Sequence, residues 1–154
     1  MVVSQVGIRK KVGSSTPVKK KRRKRKHYKT GIHHSPKCAA PIHYRSGWEK
    51  TVAEFLDNNP EVVSYEYESL MVPYVMAGKG HTYYPDFLVR YKSGRTVIVE
   101  VKRQDKLATK KVMLKNAAVR SWIIKEGKGW EFEVWTDAVV MGFRKLVEAK
   151  KAGC

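Results

Sequence analysis

Long hydrophobic runs are absent from this chain of 154 residues. No stretch approaches the roughly 18 consecutive apolar residues that mark a bilayer-spanning helix. The first seven residues, Met-Val-Val-Ser-Gln-Val-Gly, are too few and too polar to predict a secretory signal peptide. We therefore expect a protein without a membrane partner, located in the cytoplasm.

Cysteine is equally scarce, since only Cys38 and Cys154 occur, far apart in the sequence. Two distant cysteines exclude a disulfide framework and agree with a reducing, cytosolic setting. His34, Cys38 and His43 could be combined into a zinc site, but a second cysteine pair is missing and the spacings fit no standard finger. We interpret the histidines near Cys38 as scattered residues of a tail.

Acidic residues are few, and their distribution is uneven. The chain has 32 Lys and Arg against 14 Asp and Glu, a formal net charge of +18. The first 48 residues contain fourteen basic residues and no acidic one, whereas residues 49–154 carry a net charge of only +4. Such a polycation predicts a polyanionic partner, for which nucleic acid is the default. Charge alone would also suit ribosomal RNA, a membrane face or an acidic protein.

Residues 1–43 show no hydrophobic periodicity and are rich in Lys, Arg, Ser, Thr, Gly and Pro. This composition predicts a basic, largely irregular N-terminal arm without a core of its own. We expect eight consecutive basic residues of the arm to bind a nucleic-acid backbone by counterion release: Lys19, Lys20, Lys21, Arg22, Arg23, Lys24, Arg25 and Lys26. The alternatives are a solubilising tail or, in a eukaryotic host, a nuclear import signal.

Residues 44–154 alternate between helical and strand patterns, which predicts one α/β (α+β) domain. The first helix is expected to begin at Ser46, because apolar residues then recur at helical spacing as far as Leu56. The predicted order is α-β-β-β-α-β-α around a mixed central sheet flanked by helices. After the first helix we expect strands at 62–68, 82–91 and 95–102. Residues 70–76 are expected either to extend the first of these strands or to form a strand of their own. A helix at 105–126, a strand at 130–135 and a final helix from 136 or 137 to about 150 follow.

Two acids and a lysine interrupt the apolar strands. Asp86 follows a proline, and thirteen residues separate it from Glu100, with Lys102 two positions further. Because side chains alternate along a strand, Glu100 and Lys102 project to the same face. Two carboxylates and a lysine that converge would form a seat for a divalent metal ion and its activated water. The alternative is a surface ion pair of Glu100 with Lys102 or Lys92. Two observations speak against a surface position: Ile98 lies on the same face as Glu100 and Lys102, and the rest of the strand is apolar.

Glu49 has two interpretations. Ser46 and Glu49 have the spacing of a capping box, in which the serine caps the third helical amide and the glutamate reaches back toward the start of the helix. Capping accounts for Glu49 without any catalytic role. The residues alone therefore leave this position open.

Three segments together resemble the PD-(D/E)XK nuclease superfamily: Arg45-Ser-Gly-Trp-Glu49, Tyr84-Pro-Asp86-Phe and Val99-Glu-Val-Lys102. The likeness covers residues 44–137 and is strongest to TnsA-type transposon endonucleases and to the small head-completion nucleases of large tailed phages. It implies a restriction-endonuclease-like core. The catalytic positions of the superfamily correspond here to Glu49, Asp86, Glu100 and Lys102.

The resemblance implies hydrolysis of DNA phosphodiester bonds with Mg²⁺, for which Mn²⁺ could substitute. Asp86, Glu100 and the Val101 carbonyl would hold the ion, and Lys102 would orient or help deprotonate the attacking water and stabilise developing negative charge. Glu49 would serve a second metal ion or a bridging water.

Three basic residues that follow Lys102 are candidates for contacts with the DNA backbone. Arg103, Lys106 and Lys110 are expected on one side of the helix at 105–126. The alternative for these three is an ordinary solvated helix face.

The residues and the resemblance together predict a DNA endonuclease that processes DNA during phage head completion, in the host cytoplasm or the virion. Phage head or neck proteins, and a second copy of the chain in a homodimer, are the expected protein partners. Two other classes stay open. One is a non-catalytic nucleic-acid-binding or virion structural protein that retains the nuclease fold, and the other is a basic RNA-binding protein of ribosomal type.

Overall fold

The structure, a computed structural model, describes residues 29–153, so the predicted contacts of the basic run 19–26 lie outside the described residues. The helices are α1 (Gly47–Asn58), α2 (Lys110–Glu126) and α3 (Asp137–Ala152), with a 3-10 turn at Gln104–Lys106. The strands are β1 (Gly31–His33), β2 (Ile42–Tyr44), β3 (Val62–Tyr67), β4 (Val72–Met76), β5 (Lys79–Tyr83), β6 (Phe87–Tyr91), β7 (Thr96–Val101) and β8 (Glu131–Trp135).

The main sheet has four strands in the order β3-β6-β7-β8. The first three run antiparallel to their neighbours, and β8 lies parallel to β7. The predicted mixed sheet flanked by helices is confirmed. Read through the main sheet alone, the order of elements is the predicted α-β-β-β-α-β-α, into which the hairpin β4–β5 is inserted between β3 and β6.

Side chains of β7 divide between two cores, as strand alternation requires. Val97 and Val99 pack on the face covered by α1 and α3, where Phe55 and Phe143 stack with ring centroids 3.8 Å apart. Ile98 packs on the opposite face, against α2 and the β4–β5 hairpin. Glu100 shares the parity of Ile98 and therefore belongs to the α2 face of the sheet.

The expected single strand at 82–91 is wrong. The chain leaves the β4–β5 hairpin at Tyr83 and enters the main sheet at Phe87. Pro85 lies between these two strands and has no amide hydrogen to donate to a ladder. Residues 84–86 therefore form a connection, and Asp86 lies at the entrance of β6 rather than within a strand. Residues 72–76 are a strand of their own, which settles the alternative that the sequence left open.

The expected irregularity of residues 29–43 is also wrong. β1 and β2 pair antiparallel, and Cys38 and Ile42 are buried in the core beneath α1. Asp57, near the end of α1, holds this segment: its carboxylate contacts the Ser35 hydroxyl and lies 2.6 Å from His33 Nε2. Such short strands show no periodicity, and the contacts that stabilise them come from residues distant in sequence.

A lysine completes the attachment of this N-terminal segment. Lys37 Nζ donates to the carbonyl oxygens of Leu56 at 2.9 Å and Asn59 at 2.7 Å. The last carbonyls of a helix lack partners within the helix and carry partial negative charge, so an ammonium there is stabilising. Residues 29–44 are therefore part of the folded domain, and its boundary does not fall at residue 43.

The helix expected at 105–126 begins later, at Lys110. The preceding residues form the 3-10 turn, which the Gln104 amide fixes by donating to Asp137 Oδ1 at 3.1 Å. The helix ends where predicted, because Gly127 adopts a left-handed conformation with φ of 61° and caps it. None of the helices between residues 29 and 153 is long and apolar enough to cross a membrane.

Candidate active site

Asp86 and Glu100 meet at one end of the main sheet. Phe87 pairs with Val99 in the antiparallel register, so the next pair outward sets Asp86 beside Glu100. The Val101 amide donates to Asp86 Oδ2 at 2.8 Å and fixes that carboxylate across the end of β7. Glu100 is only 5% exposed. Two acids fourteen positions apart in the numbering thus become neighbours through strand pairing alone.

The pair is electrostatically unfavourable in the absence of a cation. Burial raises the pKa of Asp86, and the negative charge of Glu100 raises it further. Burial also raises the pKa of Glu100, while Lys102 and Lys115 oppose that rise. Desolvation favours the neutral form of a carboxylate, so two neighbouring carboxylates with raised pKa values are typical of a functional site.

Lys102 lies on the same side of the strand as Glu100, as predicted. Its Nζ is 3.5 Å from Glu100 Oε1. This is not the solvated surface pair of the alternative interpretation, because the Glu100 side chain is 6% exposed and that of Lys102 is 29% exposed. The Lys102 ammonium therefore contacts a buried carboxylate while remaining partly exposed to solvent.

Glu49 takes part in the cap of α1 and keeps its carboxylate close to the Asp86–Glu100 pair. The Ser46 hydroxyl caps α1 by accepting from the Glu49 amide at 3.3 Å. Glu49 Oε2 accepts from the Arg45 amide at 2.8 Å, one residue before the cap, and from the Tyr67 hydroxyl at 2.6 Å. Its charge also raises the pKa of Asp86. Both hydrogen bonds end on Oε2, so capping does not remove the carboxylate from the site.

A cleft of about 240 Å³ opens beside Lys102. Its walls come from the start of α1, the end of β7 and the 3-10 turn, and its lining residues are Ser46, Trp48, Glu49, Val101, Lys102, Arg103, Lys106 and Asp137. Lys102 is shared by this cleft and the carboxylate pair. Glu49 and Lys102 thus face one space that a substrate can enter.

The structure separates the three basic residues predicted to share a helix. Arg103 and Lys106 line the cleft from the 3-10 connection, whereas Lys110 begins α2 and lies outside the lining. The prediction of one common helix face is therefore wrong. Arg103 also pairs with Asp105, at 2.9 Å between its guanidinium and the carboxylate. Two of the three remain placed to meet an anion in the cleft.

The donor set suits a hard cation. Glu100 Oε2 is buried without a hydrogen-bond partner among the described residues, and the equally unpartnered Tyr83 hydroxyl faces the same carboxylate. Within residues 29–153 no three His, Cys, Asp or Glu side chains form a metal-binding group, so Glu49 does not join Asp86 and Glu100 in a three-carboxylate cluster. Mg²⁺ commonly uses one or two carboxylates and completes its shell with water and phosphate.

Two further residues of the site escaped the sequence reasoning. The Tyr83 hydroxyl is buried and faces the Glu100 carboxylate, but the geometry falls short of a hydrogen bond. Lys115 Nζ lies 4.7 Å from the centroid of the Tyr83 ring. A signal for Lys115 was present, because it falls between Val112 and Val119 on the buried stripe of α2.

Comparison with known proteins identifies the family of this chain. Residues 59–137, just over half of the chain, match the TnsA-like endonuclease N-terminal family. The chain belongs to that family. The matched segment contains Asp86, Glu100 and Lys102, while Glu49 lies before it.

Two phage proteins are similar over shorter segments. The head completion nuclease of Enterobacteria phage T4 is 38% identical over 63 residues, which is 40% of this chain and 42% of that protein. Endonuclease I of Escherichia phage T7 is 44% identical over 46 residues, 30% of each chain. The chain thus spans less than half the length of each of these relatives.

The carboxylate pair predicts a pH dependence of folding stability. The pKa values of Asp86 and Glu100 are raised above 3.8 and 4.5, so the folded protein retains these protons more tightly than the unfolded chain. The resulting stabilisation is present below those ordinary values and is lost as the pH rises through the folded-state values. Urea unfolding in EDTA from acidic to neutral pH measures this loss. A double variant, Asp86→Asn with Glu100→Gln, should lack it, and parallel curves for the two proteins would refute the prediction.

Substitution of Glu49 tests whether this residue only caps α1 or also takes part in DNA cleavage. We expect Glu49→Gln, whose amide oxygen can still accept from the Arg45 amide and Tyr67, to fold with unchanged thermal stability. DNA cleavage should fall about 10-fold to 100-fold, as is typical when a group supporting a metal centre is lost. Ser46→Ala is the matched control, since it weakens the cap by about 1 kcal/mol and leaves the carboxylate in place. A Glu49→Gln protein that cleaves at the wild-type rate would make Glu49 a cap only.

Proposed function

We propose that this protein is a metal-dependent DNA endonuclease that uses Mg²⁺, with Mn²⁺ as a substitute, to hydrolyse phosphodiester bonds. One observation carries the proposal: a half-buried carboxylate (Asp86) and a buried one (Glu100) lie side by side, and Lys102, at the edge of a cleft, stands 3.5 Å from Glu100. Membership of an endonuclease family supports the same conclusion.

Asp86 and Glu100 would hold the ion, with the Val101 carbonyl as a further oxygen donor. A bound divalent cation lowers the pKa of a water molecule and draws a phosphate oxygen into its shell. The Val101 amide donates to Asp86 Oδ2 and so orients this carboxylate, which leaves Oδ1 available to the ion. The Asp86 carboxylate is thus held by a backbone amide, and such preorganisation favours electrostatic catalysis.

Lys102 would act on the reacting phosphate. In hydrolysis the oxygen of water forms a new bond to phosphorus and releases a proton to solvent, one ester P–O bond breaks, and the leaving oxygen takes up a proton. The ammonium, between Glu100 and the cleft, can orient the attacking water and stabilise the added negative charge on the phosphate oxygens. Arg103 and Lys106 on the cleft wall would hold the adjacent backbone.

A role in phage DNA processing is part of the proposal. A relative named as a head completion nuclease, 38% identical over 63 residues, supports it. Such a role would bring phage head or neck proteins as partners, the virion or the host cytoplasm as location, and a homodimer as a natural way to cut both strands. The basic run at 19–26 would add sequence-independent attachment to DNA.

Incubation of the purified protein with supercoiled plasmid tests the proposal. We expect nicked or linear products with Mg²⁺ or Mn²⁺ and none with EDTA. Asp86→Asn, purified in parallel, controls for contaminating nucleases and should leave the plasmid intact. If the wild-type protein binds the plasmid but leaves it intact with both metals, the proposed endonuclease activity is contradicted and a non-catalytic nucleic-acid-binding protein is favoured.

A further inference from the structure

A second cavity lies between α1 and α3, on the other side of the first turn of α1 from the active-site cleft. Its volume is about 300 Å³. The cleft takes Trp48 and Glu49 from that turn, whereas this cavity takes Gly47, Lys50 and Thr51. We call it the α1–α3 pocket, and its charged lining residues are Lys29, Lys50, Arg144, Lys151, Glu54 and Glu148. The proposed mechanism uses none of them.

The charges of the α1–α3 pocket favour an anion. Four basic residues and two acidic ones give its lining a net charge of +2. Glu54 lies 3.9 Å from Lys50 Nζ and 3.5 Å from Lys151 Nζ, so one carboxylate is shared by two ammonium groups. Clefts in which charges of one sign prevail concentrate ligands of the opposite sign. A polyanion is therefore the class of partner that this pocket suits.

Arg144 is the basic residue of the pocket best placed to bind a phosphate. Its Nη2 donates to Thr51 Oγ1 at 3.4 Å, and its guanidinium lies 5.7 Å from the centroid of the Trp48 ring. Both partners are uncharged, and Arg144 forms no ion pair within the described chain from 29 to 153. A guanidinium has five N–H donors in a planar fork that matches the oxygens of a phosphate. The donors that Thr51 does not use are available to a ligand in the pocket.

The α1–α3 pocket adjoins the active-site cleft through Trp48. This ring lines the cleft, and Arg144, which contacts the ring, lines the pocket. An α-helix with its side chains is about 10–12 Å across, and DNA advances about 3.4 Å per base pair. DNA bound in the cleft therefore reaches the pocket about three base pairs further on. Lys29 follows the basic run at 19–26 by three positions in the sequence, so a short connection links the pocket to the run proposed to attach to DNA.

We propose that the α1–α3 pocket is a second binding site for the DNA backbone, which holds the duplex about three base pairs from the phosphate in the cleft. The inference rests on the proposed function, since the cleft defines where the DNA lies. Arg144 would bind one phosphate with its fork, and Lys29 and Lys50 would add positive charge. Such contacts position DNA and read no sequence. The DNA contacted by the protein thus extends beyond the reacting phosphate.

The salt dependence of DNA binding tests the second binding site. Affinity for a fluorescent duplex should be measured by anisotropy in EDTA over a series of salt concentrations. We expect Lys50→Met combined with Arg144→Met to weaken binding about 10-fold to 100-fold at about 0.1 M salt and to reduce the slope of log K against log salt by about 2, because each phosphate contact contributes about 0.9. Lys92→Met combined with Lys125→Met is the matched control, since it removes two exposed charges outside both cavities and should leave the slope unchanged.

A charge-retaining variant, Lys50→Arg with Arg144→Lys, should keep the wild-type slope and so separates the effect of charge from a change in folding. If the double methionine variant of the pocket fails to fold, Lys29→Met with Lys151→Gln, at two exposed residues of the same pocket, replaces it. Equal slopes for the pocket variant and the control, with plasmid cleavage by the wild type observed, would overturn the second binding site while the proposed function stands. A reduced slope in a protein that cleaves no plasmid would support the second binding site and contradict the endonuclease.

Discussion

Replacing Lys102 with methionine is expected to slow plasmid cleavage by about 10²–10³-fold, the loss typical when one group that stabilises transition-state charge is removed. Lys102 Nζ lies 3.5 Å from Glu100 Oε1 and on the wall of the cleft, so it adjoins both the proposed metal site and the proposed substrate site. Methionine keeps the length and the apolar stem of the side chain. The loss should therefore fall on the cleavage rate, with DNA binding weakened only slightly.

Lys92→Met is the matched control for this experiment. Lys92 lies in the exposed turn between β6 and β7, at the end of the sheet opposite to the carboxylate pair. Rates are to be measured under single-turnover conditions with excess enzyme, and DNA affinity by a gel-shift assay in Ca²⁺. Cleavage by Lys102→Met at a rate close to that of Lys92→Met would remove Lys102 from the mechanism.

Asp86→Asn should abolish cleavage and at the same time stabilise the metal-free protein. Burial and the charge of Glu100 both raise the pKa of Asp86, which shows that its ionised form is unfavourable in the fold. Asparagine keeps the shape and can still accept the Val101 amide through its oxygen. We expect the free energy of unfolding at neutral pH in EDTA to rise by about 1 kcal/mol, a usual gain for relief of a destabilised active site.

The opposite signs of the two effects make this substitution informative. A residue that only supports the fold would lower stability and activity together when it is changed. Urea unfolding in EDTA and cleavage in Mg²⁺ should be measured on the same preparations, with Glu126→Gln as a control on an exposed carboxylate at the end of α2. Reduced stability of Asp86→Asn, or cleavage at the rate of the control, would count against a functional carboxylate pair.

Local pattern and side-chain alternation account for what the sequence predicted correctly. The apolar spacing after Ser46 predicted α1, and the alternation in β7 set Glu100 and Lys102 on one face. Asp86 and Glu100 were paired through the expectation of neighbouring strands, and the observed register bears this out. These features depend on residues close in sequence or on pairing between adjacent strands.

The features that were missed depend on contacts distant in sequence. The break at Pro85 separates a hairpin from the main sheet, although residues 82–91 are apolar enough to resemble one strand. β1 and β2 are three residues each and are fixed by Asp57 and by the carbonyls at the end of α1. The position of Lys115 over the Tyr83 ring depends on how α2 packs against the β4–β5 hairpin, a contact that helical periodicity does not predict.

In the proposed mechanism Asp86 and Glu100 together hold the metal ion at which DNA is hydrolysed. Diffraction at the manganese absorption edge, from crystals grown with Mn²⁺ and an uncleavable duplex, tests it most directly. We predict an anomalous peak about 2.0–2.4 Å from one oxygen of each carboxylate, with a DNA phosphate oxygen in the same shell and Lys102 facing that phosphate. A protein that cleaves DNA while its manganese peak lies elsewhere, away from Asp86 and Glu100, would contradict the account.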